Sequence, residues 1–177
     1  RHVDPDVITY NAAISACEKG VQWKEALDMF SEMGRRHLEP DLITCNAALS
    51  ACEKGSLWSE ALCMFFSMKS CGPEPDVITY SAASSACGNG GRWHEALCMF
   101  ADMPRRRLEA DVIVCGAVVS ACEKGTQWPD ALAIISDMHL ENLEPNVIVY
   151  NAAVSACEKG ARWHEALILV SDARRHS

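Results

Sequence analysis

The chain has 177 residues, 49% hydrophobic and 23% charged, a balance that argues against disorder and allows a sizeable core. Its formal net charge of -8 and pI near 5.2 speak against blanket electrostatic attachment to nucleic acid, although a basic track on one face fits within that total. No run of 18 or more apolar residues is present, so no membrane partner is expected.

The chain opens at Arg1 without a basic-then-apolar leader, and Arg1-His2-Val3-Asp4-Pro5-Asp6 resembles Arg36-His37-Leu38-Glu39-Pro40-Asp41. Residues 1–6 therefore read as the tail of a preceding repeat, and the chain as a fragment of a longer array. Asp6 is a good N-cap for a first helix over Val7–Lys19. Gly20 is expected to take the left-handed conformation that ends it. A second helix starts near Trp23 and runs to Met33, followed by Arg35-Arg36, which suit the helix C-terminus. This pattern then recurs. Asp6, Asp41, Asp76, Asp111 and Asn146 are spaced by 35, as are Trp23, Trp58, Trp93, Trp128 and Trp163, and Gly20, Gly55, Gly90, Gly125 and Gly160.

Counted from the residue after each Asp or Asn, the repeats are 7–41, 42–76, 77–111, 112–146 and a partial 147–177. A lone hairpin cannot bury its apolar face, but a stack of hairpins can. The expected architecture is all-α, one repeat domain over 1–177, with Trp packing between helices. Ala12-Ala13 and its counterparts allow close helix approach. Pro40, Pro75 and Pro145 block extension of the previous helix, Pro104 is expected to shorten one, and Pro129 is tolerated at a helix start.

The ten cysteines contain no C-x-x-C pair, and five of them (Cys17, Cys52, Cys87, Cys122 and Cys157) share one helical slot. They read as small buried hydrophobes, with a modest preference for a reducing compartment. No phosphate-binding loop, H-E-x-x-H motif or acid/base pair stands out, so no catalytic residue, metal or cofactor is expected and the chain reads as a binding scaffold.

The run Pro5-Asp6-Val7-Ile8-Thr9-Tyr10-Asn11, then Ala16-Cys17-Glu18-Lys19-Gly20 and Glu25-Ala26-Leu27-Asp28-Met29-Phe30-Ser31-Glu32-Met33, resembles a pentatricopeptide repeat, five times in register. The resemblance implies a right-handed α-solenoid whose first helices line a concave surface and bind single-stranded RNA, one base per repeat. It implies that the fifth and last residues of each repeat read a base together: Asn11 with Asp41, Asn46 with Asp76, Ser81 with Asp111, and Gly116 with Asn146. Asn151 has no counterpart partner. Asn with Asp points to uracil and Ser with Asp to guanine, while Gly116 has no side chain to read with, giving a site of the form U-U-G-any.

In the family the second residue wedges between bases, which falls on Ile8, Ile43, Ile78, Ile113 and Ile148; packing within the first turn is the rival reading. Lys19, Lys54, Lys124 and Lys159 resemble phosphate-contacting lysines, with Asn89 in their place in the third repeat. The resemblance also implies an organelle, mitochondrion or chloroplast, and RNA processing, stability or translation there. An appended catalytic domain outside these residues is a further possibility within the family. The acidic total favours a protein-binding solenoid as the alternative, with protein partners.

Overall fold

The computed structural model describes residues 5–175, so four of the six residues read as the tail of a preceding repeat lie outside the described residues. The described residues form ten α-helices and no strand. The first helices of the five repeats are α1 (Val7–Lys19), α3 (Leu42–Lys54), α5 (Val77–Asn89), α7 (Val112–Lys124) and α9 (Val147–Lys159). The second helices are α2 (Trp23–Arg35), α4 (Trp58–Cys71), α6 (Trp93–Asp102), α8 (Trp128–Leu140) and α10 (Trp163–Arg175).

Each first helix starts on a side-chain cap. Asp6, Asp41 and Asp76 accept the backbone N–H of Thr9, Thr44 and Thr79, Asp111 that of Val114, and Asn146 that of Val149. Each first helix also ends the same way. In the first repeat, Gln22 N–H donates to Cys17 O (2.8 Å) and Val21 N–H to Glu18 O (3.1 Å), a Schellman closure. The left-handed residue of this closure is not the glycine. Gly20, Gly55, Gly90, Gly125 and Gly160 have φ between -77° and -86°. The positive φ falls one residue later, on Val21, Ser56, Gly91, Thr126 and Ala161.

The glycines are needed for a different reason. A Cβ built on Gly55 would lie 3.0 Å from the Trp23 ring, and one on Gly90, Gly125 or Gly160 would run into the ring of Trp58, Trp93 or Trp128. Trp23, Trp58, Trp93 and Trp128 thus each lie against the helix end of the following repeat, and at Gly90, Gly125 and Gly160 no Cβ fits unless the ring moves. Gly20 has no such ring over it.

First helices pack on first helices, and each second helix packs on its own first helix and on the next one. Among the described residues, neighbouring second helices make no close backbone approach. The first helices therefore form the tight inner row of a right-handed solenoid and the second helices a splayed outer row. Small residues permit the inner packing: a Cβ on Gly88 would sit 3.1 Å from Ala121 Cβ. The core is one repeating set. Ala26, Ala61, Ala96 and Ala131 are fully buried, as are Met33 and Met103, with Met68 and Met138 nearly so.

Cys52, Cys87, Cys122 and Cys157 are buried at their shared slot, and Cys17, with no earlier repeat against it, is half-buried. Burial pushes the thiols of Cys52, Cys87 and Cys122 up to about 12 and keeps them protonated. Pro104 ends α6 early, at Asp102, and opens a short 3-10 turn over Pro104–Arg106. Pro129 sits in the first turn of α8. Among the described residues, no helix is long and apolar enough to cross a membrane.

The Trp-on-Gly contact predicts a sharp contrast between two chemically identical changes. In urea unfolding, Gly125→Ala should cost about 1–3 kcal/mol because the Trp93 ring must move. Gly20→Ala should change stability by less than about 0.5 kcal/mol.

Candidate functional site

The caps place the site. Each first helix begins at its Asp or Asn, so the last residue of one repeat stands at the N-terminus of the next repeat's first helix. The fifth residue of the preceding repeat lies one helix away, on the same inner row. The structure brings these two together in the first two repeats. Asn11 Nδ2 donates to Asp41 Oδ2 (2.8 Å), and Asn46 Nδ2 donates to Asp76 Oδ1 (3.2 Å).

A third residue completes each pair, and sequence reasoning missed it. The Thr44 hydroxyl lies against both Asn11 Oδ1 and Asp41 Oδ1, sharing its single proton between them. The Thr79 hydroxyl is 2.7 Å from Asn46 Oδ1 and 2.8 Å from Asp76 Oδ1. Both threonines are fully buried. The available signal was the identical Thr at the third slot of the first three repeats, Thr9, Thr44 and Thr79. With the amide held from both sides, each Asn keeps one N–H and one oxygen lone pair for a ligand.

Burial by itself would raise the Asp41 and Asp76 carboxyls. The backbone and hydroxyl donors of Thr44 and Thr79, with the Asn amides, outweigh it and hold both below the usual carboxylate range.

The later repeats lack this triad. Val114 and Val149 stand at the Thr slot. Ser81 and Asp111 are on the same inner row, Ser81 half-buried and Asp111 exposed. At Gly116 an added Cβ would only touch Val149 at 3.5 Å, so the fourth repeat has space where the others have a reading side chain. Asn146 is exposed and caps α9, and Asn151 is exposed on α9.

Ile8, Ile43, Ile78, Ile113 and Ile148 sit three residues before the fifth-residue positions, so about one helical turn away. All five are exposed, between 60% and 75%. They are not packed into the first turn; they form an apolar row beside the polar one.

The lysines lie eight residues beyond the fifth-residue positions, about 12 Å along the helix. Lys54 Nζ is 2.6 Å from Glu18 Oε1 and 2.7 Å from Glu18 O. Lys159 Nζ is 3.0 Å from Glu123 Oε1. Each thus braces the preceding repeat and spends its charge on a carboxylate. Lys124 has no such acid, because Gly88 occupies the slot of Glu18, Glu53 and Glu123; it donates to Asn89 Oδ1 (2.7 Å). Lys19 is exposed at the first helix end.

The third repeat interrupts this ladder on its other side as well. Asn89 Nδ2 donates to Glu53 O (3.2 Å), leaving the Glu53 carboxyl with no lysine from the next repeat. Burial raises Glu53 above its ordinary range, and the Ser85 hydrogen bond and Lys54 offset this only in part. Two open clefts lie elsewhere, one between α6 and α8 lined by Phe100, Met138 and Leu143, the other between α2 and α4 lined by Phe30, Cys63 and Met64.

Thirty-five-residue hairpins stacked with a polar row on their inner helices define an α-solenoid repeat protein. The chain matches the PPR repeat family over residues 5–54, the PPR repeat over 43–73 and 78–108, and the pentatricopeptide repeat domain over 98–159. The chain belongs to the pentatricopeptide repeat family.

Among solved structures it is similar to the pentatricopeptide repeat protein PPR10 in complex with an 18-nt psaJ RNA element, at 25% identity and TM-score 0.76, over 93% of this chain and 24% of that one. It is similar to PPR10 from maize at 26% identity and TM-score 0.67, over 99% of this chain and 25% of that one. It shares its fold with the PPR domain of Arabidopsis thaliana protein-only RNase P 1 in complex with tRNA, at 14% identity and TM-score 0.79, over 93% and 86%. The chain spans about a quarter of the length of the PPR10 chains. A comparison with curated proteins finds no match.

The interrupted ladder predicts a pH effect. An acid whose folded pKa lies above its unfolded value binds its proton more tightly when folded. Glu53 ionisation therefore costs native stability at neutral pH, and the cost is relieved as pH falls through the folded pKa towards 4.5. Glu53→Gln should raise stability at neutral pH and remove that part of the pH dependence. Asn89→Lys should do the same by less than about 1 kcal/mol. Urea titrations between neutral and mildly acidic pH read both.

Proposed function

We propose that the inner row binds single-stranded RNA, one base per repeat, and that the chain has no catalytic role of its own. The observation that carries this is the pairing of the fifth residue with the last one, Asn11 with Asp41 and Asn46 with Asp76, beside exposed isoleucines at a constant offset. A base fits this arrangement chemically. Its edge meets the free donor and acceptor of the Asn, and its faces meet the isoleucines of two successive repeats. Uracil offers an N–H beside a carbonyl, which matches the lone pair and N–H that each Asn keeps. Ser81 with Asp111 favours guanine, and Gly116 with Asn146 sets no preference, so the site reads U-U-G-any from 5′ to 3′ along the chain. PPR10 bound to an 18-nt RNA element is similar to 93% of this chain, which supports RNA as the ligand. Organellar RNA processing, stability or translation is the setting the family suggests.

The lysines favour a shape-led contact over a charge-led one. Lys54 and Lys159 are neutralised by Glu18 and Glu123 and contribute little net charge unless RNA displaces those acids. Together with the net charge of -8, this favours a protein-binding solenoid as the second reading.

Fluorescence anisotropy with short labelled strands tests both. A U-rich strand should bind more tightly than poly-A at equal salt, weakly for four complete pairs, and Asn46→Ala should weaken the U-rich strand selectively. Affinity should fall with salt along a shallow slope, since few phosphates are neutralised. Equal binding of both strands contradicts base reading. No RNA binding, with a protein partner retained after nuclease treatment, favours the second reading.

A further inference from the structure

The asparagine amides of the inner row are groups whose setting matters. Turning an amide over about its Cβ–Cγ bond exchanges its N–H for its oxygen at nearly the same place. A base held in one pose by flanking isoleucines meets a different edge in each setting. One setting suits uracil, with N3–H beside the O4 carbonyl; the other suits cytosine, with N3 beside the N4 amine. A hydroxyl such as that of Ser81 donates or accepts by rotation, so it has no setting to hold. The chain divides along this line. Asn11 and Asn46 are followed in the next repeat by Thr44 and Thr79, while Ser81 and Gly116 are followed by Val114 and Val149.

Each threonine is placed to act on the amide and not on a ligand, because Thr44 and Thr79 are fully buried. Asp76 Oδ1 already accepts the Thr79 backbone N–H at 2.9 Å and an Asn46 Nδ2–H at 3.2 Å. The Thr79 hydroxyl oxygen in turn accepts the Asp76 backbone N–H at 3.1 Å. Among the described residues Asn46 Oδ1 has no donor other than the Thr79 hydroxyl, 2.7 Å away. The hydroxyl proton therefore goes to the amide oxygen, in the shorter of the two bonds that hold Asn46. With the amide turned over, its oxygen would face the Asp76 carboxylate with no proton between them. Thr44 lies against Asn11 Oδ1 in the same way. We infer that Thr44 and Thr79 are positioning residues that fix base choice. Each locks the amide of the preceding repeat in one setting, and this lock, not the Asn–Asp pair alone, separates uracil from cytosine. The inference rests on the RNA reading above and adds a third determinant for each base, supplied by the next repeat.

Fluorescence anisotropy on the 177-residue chain, with labelled strands carrying U-U-G or U-C-G, reads the lock at the second base. Thr79→Val removes the hydroxyl and keeps the shape, and the fourth and fifth repeats carry Val at this slot with their caps intact. The uracil-over-cytosine ratio should fall about three- to tenfold, the weight of one hydrogen bond. Thr79→Ser keeps the hydroxyl and should hold the ratio near that of the unsubstituted chain. The lock can also be built where it is absent. Ser81→Asn alone should separate U-U-U from U-U-C poorly, and adding Val114→Thr should favour U-U-U by the same factor. Circular dichroism checks that each variant folds. An unchanged ratio in Thr79→Val overturns the inference, as does equal weakening on both strands, which marks a merely structural role. Equal discrimination by Ser81→Asn with and without Val114→Thr overturns it too. In each of these cases a U-rich strand still bound above poly-A leaves the RNA reading standing. No RNA binding by the unsubstituted chain overturns both.

Discussion

An indole against a glycine sets the geometry of this molecule. Trp23, Trp58, Trp93 and Trp128 each cover the closing glycine of the next repeat's first helix, tightly at Gly55 and at a distance no Cβ would tolerate at Gly90, Gly125 and Gly160. The contact fixes both how close two hairpins come and how they are rotated. Because it recurs at each junction, it fixes the same relation four times. Everything read by rows depends on that equality. A row of Asn and Asp, or of isoleucines, exists only if every repeat is displaced from the last by the same step.

The polar row is built from capping chemistry. An N-cap Asp spends one oxygen on a backbone N–H. In Asp41 the second oxygen takes the Asn11 amide, so one carboxylate both starts a helix and orients a side chain of the neighbouring helix. Thr44 and Thr79 close the arrangement from beneath. Where Val114 and Val149 replace them, the cap survives but the triad does not, and the fifth residue of the preceding repeat is Ser81 or Gly116. The third repeat departs furthest. Ser84 is buried with an unpaired hydroxyl at a slot held elsewhere by Ile14, Leu49 and Val119, and Gly88-Asn89 interrupts the Glu–Lys ladder. These smaller groups accompany the close approach of α5 to α7.

Local chemistry made most of the fold legible in the sequence. The caps at Asp6, Asp41, Asp76, Asp111 and Asn146, the span Val7–Lys19, the early end at Pro104 and the buried cysteine slot all follow from residues within one or two turns of each other. The misreadings involve contacts across repeats. Gly20 and its counterparts look like left-handed helix ends because Gly is the usual residue there. The ring that demands glycine comes from 32 residues upstream, as Trp58 does for Gly90, and no local pattern shows it. The pairing of Lys54 with Glu18 was not visible in the sequence because Glu18 belongs to the preceding repeat. The Thr hydroxyls were missed for the same reason: their second acceptor is 33 residues away.

The central claim is that equivalent side chains form a ligand-facing row with one base per repeat. A crystal structure of this chain with a short oligouridylate tests it most directly. The account predicts successive bases spaced one per hairpin along the inner helices, the first held between Ile8 and Ile43 with its edge on Asn11, the next between Ile43 and Ile78 with its edge on Asn46. RNA lying on the outer helices, or bases that bypass the isoleucines and asparagines in favour of the lysine ends, would contradict it.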